Sequence, residues 1–138
     1  MPSAEAIQKI RSFDLAALRE TLAACPPPEG GSIEPLVESA TRWVAALCED
    51  IARLLEAIDD PDDCAMTLAI QYVELKSRWI ALNTRMNYSM FRTGGCDPAD
   101  MCRGSAVSAL LAHIEPLLDA SDIDKITEFL AQPLSGAA

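Results

Sequence analysis

The chain has 138 residues, half of them apolar and 5% aromatic, with a formal net charge of −10. That length fits one domain able to bury roughly two thirds of its unfolded surface, and the apolar share excludes disorder over most of it. The acidic balance repels nucleic-acid backbones and anionic membranes, so no direct binding of nucleic acid or membrane is expected.

A core of Leu, Ile, Val, Ala and Met with few aromatics suits helices better than strands. The first helix is expected from Ser3, acting as cap, to about Ala24, with Ile7, Ile10, Leu15, Leu18 and Leu22 as its apolar stripe. The run CPPPEGGS from Cys25 to Ser32 ends it, because prolines and glycines cannot continue a helix.

Ser32 or Glu34 starts the second helix, with Pro35 tolerated in its first turn. Ile33, Ala40, Leu47 and Leu54 recur every seven residues, and Val37, Val44, Ile51 and Ile58 repeat beside them. That is an a/d seam, widened by Trp43, Cys48 and Leu55.

DDPDD follows, where Asp60 is an N-cap, Pro61 a first helical residue and Asp63 a first-turn acid. A link this short makes the third helix antiparallel to the second. It is expected to reach about Arg92, with Ala65, Leu68, Tyr72, Leu75, Trp79, Leu82 and Met86 inward. Met66, Val73 and Ile80 add a second apolar row, a width that suits a helix covered from two sides or by a second subunit. Both helices of this hairpin are expected to approach thirty residues, or roughly 40 Å each.

Gly94 and Gly95 stop the third helix, and Asp97-Pro98-Ala-Asp100 starts a fourth. The fourth should run to near Asp119, kinked or broken at Pro116. Ser121 with Asp124 resembles a capping box for a short last helix carrying Ile123, Ile126, Phe129 and Leu130. The expected fold is therefore all-α. It is an antiparallel helical bundle of four main helices plus a short C-terminal helix, built on a long central helical hairpin. Residues 1–132 form one domain, and 133–138 a flexible tail.

Five cysteines are an odd number without the framework of a secreted disulfide scaffold. The first residues lack a basic stretch followed by an apolar core, and runs such as WVAALC are too short to span a membrane. A cytoplasmic protein with free thiols is expected.

Three features are candidates for function. Arg78, Arg85 and Arg92 recur every seven residues, so three of the eight arginines share one face of the third helix. They can pair with acids such as Glu49, Asp50 or Glu56 on the antiparallel helix, or contact a partner. Tyr88 lies near the end of the stripe, and aromatic residues are common at interfaces. Cys96 and Cys102 flank the start of the fourth helix, where they read as a joint or as a redox-sensitive pair. Their spacing departs from that of tight zinc sites, so no metal is expected. The acidic run from Glu49 to Asp63 holds seven carboxylates and reads as a solvated turn or a docking point for a basic partner. His113 is the one histidine, on an apolar stretch, and reads as structural.

No motif for catalysis or for a cofactor emerges, so an enzyme is not expected. The leading expectation is a small acidic helical protein that works by binding another protein, as adaptor, chaperone, inhibitor or assembly subunit. The partner would have a basic surface, and a homodimer would use the wide apolar face. The contact residues would be Arg78, Arg85, Arg92, Met66, Val73, Ile80 and Tyr88. The alternatives are an acidic nucleic-acid mimic that blocks a DNA- or RNA-handling protein, and a thiol- or ligand-responsive helical sensor using Cys96 and Cys102.

Overall fold

The structure, a computed structural model, describes residues 4–131, and these form an all-α fold. In chain order the helices are α1 (Ala4–Arg11), α2 (Leu15–Ala23), α3 (Glu34–Glu56), α4 (Pro61–Thr93), α5 (Pro98–Ile114) and α6 (Ala120–Ala131). A 3-10 turn over Glu115–Leu117 joins the last two. Ser3 as a cap and the tail 133–138 lie outside the described residues.

The single N-terminal helix of the sequence reading is two helices. The chain breaks at Ser12–Asp14, and the Asp14 carboxylate accepts a hydrogen bond from the Ala17 amide at 3.0 Å, capping α2. The bend lets Ile10 on α1 and Leu18 and Leu22 on α2 all reach the core. A straight helix would carry part of that stripe away from α3. The last helix is also capped differently. Asp119, not Ser121, supplies the capping oxygen, which accepts from both the Ser121 amide and its hydroxyl.

The hairpin starts as expected. Asp60 Oδ1 accepts from the Asp62 and Asp63 amides at 2.8 and 3.3 Å, and Pro61 follows as the first residue of α4. The two helices are unequal, however: α3 has 23 residues and α4 has 33. At 1.5 Å per residue, α4 is about 15 Å longer. Since α3 ends and α4 begins at the DDPDD link, the last turns of α4 overhang the start of α3. Gly94 then ends α4 with φ 78°, a left-handed conformation that favours glycine.

α3 and α4 touch less extensively than either touches α5, which packs against both. α1 and α2 cover α3, α2 also reaches α5, and α6 covers α4. One core runs through all six helices, centred on Val44, Ile51, Leu55, Leu68, Leu110 and Ile114. His113 ties α5 to α1: its Nε2 lies 2.7 Å from the Lys9 carbonyl, and its ring meets Phe13 edge-on at 4.9 Å.

Two acids of α3, Glu49 and Glu56, turn towards α1. Arg11 donates from Nε to Glu49 at 3.0 Å and from Nη2 to Glu56. Hydrogen bonding to Arg11 is the main cause that holds both carboxyls below the ordinary carboxylate range. A carboxyl with a lowered folded pKa adds stability that is complete above its unfolded value, near pH 4.3, and is lost as pH falls through the folded value. The melting temperature should therefore fall on acidification below about pH 4.5. In Arg11→Gln that acid limb should flatten, as checked by thermal melts across pH; an unchanged slope would exclude this junction as its source.

Candidate functional site

The link and the intervening helix together create a trough. α3 and α4 leave DDPDD side by side, α5 lies against both, and small residues face the place where the three meet. Ala40 of α3, Ala81 of α4, and Ala99 and Ala106 of α5 leave a groove of about 490 Å³. Its apolar surface is completed by Leu36, Leu82, Val107 and Trp43, the last of these 36% exposed. Single exposed apolar residues are ordinary, but a concave apolar surface of this size is the usual form of a binding site.

Three guanidinium groups line the same groove: Arg78 and Arg85 from α4 and Arg103 from α5. Two of them, Arg85 and Arg103, converge on one acid, Asp100. Arg85 donates from Nε to Asp100 Oδ2 at 3.1 Å and from Nη2 to Oδ1 at 2.6 Å. This two-pronged geometry fixes both the distance and the orientation of a planar carboxylate. Arg103 Nη1 stands 3.5 Å from the same Oδ1, a longer ion pair on an oxygen already held. Asp100 is only 8% exposed, so its charge is spent inside the cluster. Arg78 has no ion pair or hydrogen bond among the described residues. Three positive charges against one negative leave the groove locally basic within a chain of net charge −10.

The seven-residue stripe thus divides. Arg78 and Arg85 face the groove, whereas Arg92 lies on the overhanging end of α4. There its Nη1 donates to the Tyr88 hydroxyl at 3.1 Å, and the guanidinium sits over the ring at 5.8 Å. None of the three pairs with α3. Glu49 and Glu56 are taken by Arg11 instead, with Arg53 a second partner of Glu49.

The expected apolar flank divides as well. Val73 belongs to the buried core, and Met66 is half-buried against it. Ile80 is 52% exposed, and Tyr88, Met90 and Phe91 stand open on the overhang, Phe91 at 90%.

Cys96 and Cys102 have different surroundings. All five are free thiols. Cys96 donates its thiol hydrogen to the Met86 carbonyl at 3.4 Å. Cys102 forms part of the groove floor, where burial is the chief cause that raises its thiol pKa, with Cys25, not Cys96, as a further contributor. Raised thiols are poor nucleophiles. Cys48, pushed up to about 11 by burial, is further still from reactivity.

Sequence reasoning picked out Arg78 and Arg85 but not Asp100, Arg103 or Trp43 as their companions. The available signal was the tight Gly94–Gly95 turn, which folds the start of α5 back on α4 and so brings Asp100 and Arg103 within reach of Arg85. Among the described residues no group of three or more His, Cys, Asp or Glu side chains could hold a metal ion, and no helix is long and apolar enough to cross a membrane. Comparison with protein-family models, with curated proteins and with solved structures gives no match to this chain.

Proposed function

We propose that this protein works by binding another protein, with the groove between α3, α4 and α5 as its docking site, and that it acts in the cytoplasm without catalysis. One observation carries the reading: an apolar trough edged by Arg78, Arg85 and Arg103 on a protein that is otherwise acidic. Apolar burial supplies affinity, and charge at the rim supplies selectivity and rate. The local charge is opposite to that of the whole chain. The segment that enters the groove therefore carries carboxylates, not the basic groups that net charge alone suggests. Tyr88 and Phe91 on the overhang extend the same helix beyond the groove, and with the exposed Ile80 they give a partner further apolar area.

The experiment is a tagged pull-down from nuclease-treated lysate with the native protein and with Arg78→Glu. Arg78 is exposed and makes no bond that folding needs, so the variant should fold normally. A partner held in stoichiometric amount by the native protein should be lost from the variant. The same partner retained on both would remove the groove from consideration.

A further inference from the structure

The groove's own geometry narrows what enters it. Arg78 and Arg85 are seven residues apart on one helix, which places them about 10 Å apart, two helical turns, on the same face. Arg103 shares the Asp100 oxygen that Arg85 already holds. Arg78 is therefore one uncompensated positive charge, and the Arg85–Arg103–Asp100 cluster carries a second about two turns away.

A complementary ligand needs two negative charges at that separation and an apolar surface between them, all on one side. In an extended strand about 10 Å is three residues, and residues three apart point to opposite faces. In a helix the same distance is seven residues on one face. The groove walls are themselves helices, so among the described residues no free sheet edge is present for an added strand. A single-headed amphiphile such as a fatty acid would fill the apolar trough but neutralise only one of the two charges. A nucleic-acid backbone would meet the repulsion of the surrounding −10 charge.

We infer that the groove accepts an amphipathic acidic helix of the partner, with an apolar stripe facing Ala40, Leu82 and Ala106 and two carboxylates two turns apart, one on Arg78 and one on the Arg85–Arg103 pair. The inference rests on the docking role proposed above and names its partner class.

The test uses fluorescein-labelled peptides of about eighteen residues, long enough to form a helix on binding. One carries Leu along one face and two Glu two turns apart beside that face. A second replaces both Glu by Gln. A third moves one Glu to the opposite face. Fluorescence anisotropy at low salt is read with the native protein, with Arg78→Glu, and with Arg53→Glu as a charge-matched control outside the groove. Circular dichroism confirms that each variant is folded.

The first peptide should bind saturably with one site per chain. The Gln and misplaced-Glu peptides should bind at least about tenfold more weakly, as should the first peptide to Arg78→Glu, while Arg53→Glu changes nothing. Equal affinity for all three peptides, or for native protein and Arg78→Glu, overturns the inference. So does binding of dodecanoate, one per chain, where no peptide binds. Self-association of the native protein that Arg78→Glu abolishes would make the occupant a second copy and also overturn it. If the peptides fail while the cellular partner still depends on Arg78, this inference falls and the docking site stands. If the cellular partner is indifferent to Arg78, both fall.

Discussion

Leu110→Ala is expected to lower the free energy of unfolding by about 2–5 kcal/mol, the range for emptying a well-packed leucine site. Leu110 is fully buried on α5, the helix that packs against α2, α3 and α4 together. The loss combines the transfer energy of the deleted carbons with the cavity left behind, which rigid neighbours on three sides cannot close. The melting temperature should drop on the order of 10 °C in a chain of this size. Leu54→Ala is the contrast. Leu54 belongs to the seven-residue seam read in α3 but is 42% exposed, so its removal should cost less than about 1 kcal/mol. Urea titration of both variants decides the matter. Similar losses at the two sites would mean that α5 is not the centre of the core.

Gly104→Leu is expected to destabilise by about 1–3 kcal/mol through overpacking, and to do so where the smaller Gly104→Ala does not. Gly104 is buried in the middle of α5. A Cβ there would sit 3.1 Å from the Met86 methyl and 3.7 Å from a Leu82 methyl. Alanine needs only a few tenths of an ångström from the flexible end of Met86, and it gains up to about 1 kcal/mol of helix propensity over glycine. The two effects offset each other. A leucine needs the space that Met86 and Leu82 occupy, and must push α4 away from α5. Because Leu82 also lines the groove, Gly104→Leu should weaken partner binding as well as stability. Denaturation midpoints for the two variants, with the groove-binding peptide as a second readout, test this. A leucine variant as stable as the alanine one would show that α4 and α5 have slack between them.

Most of the fold was legible because its determinants are local. The seam at Val37, Val44 and Ile51, the Asp60-Pro61 start and the Gly94 stop all act within a turn or two of chain. The break at Ser12–Asp14 was harder to see. No proline or glycine marks it, and the apolar residues on either side keep a helix-like spacing. Only the capping potential of Asp14 hinted at it. The unequal lengths of α3 and α4 were hidden because Ile58 continues the heptad past the end of α3 at Glu56. The site was half legible for the same reason. A seven-residue repeat reports that Arg78 and Arg85 share a face of their own helix. It says nothing of what lies opposite, and that is decided by where α5 docks. Glu49 and Glu56 looked like natural partners for those arginines in a two-helix picture. The bend between α1 and α2 gave them Arg11 instead.

The placement of α5 has a consequence for the order in which the molecule can be assembled. The two longest helices are adjacent in the chain, yet α4 buries its most extensive surface against α5, synthesised after it, and α3, though covered by α1 and α2, also packs on α5. Until about Ile114 has left the ribosome, the inner faces of α3 and α4 have only each other and α1–α2 to cover them, which the finished structure shows to be a partial cover. A growing chain therefore carries two long half-exposed apolar faces for several seconds at ordinary rates of synthesis. Cooperative folding waits for the segment from Pro98 to Ile114, and the groove, whose floor that segment forms, is among the last parts of the molecule to exist.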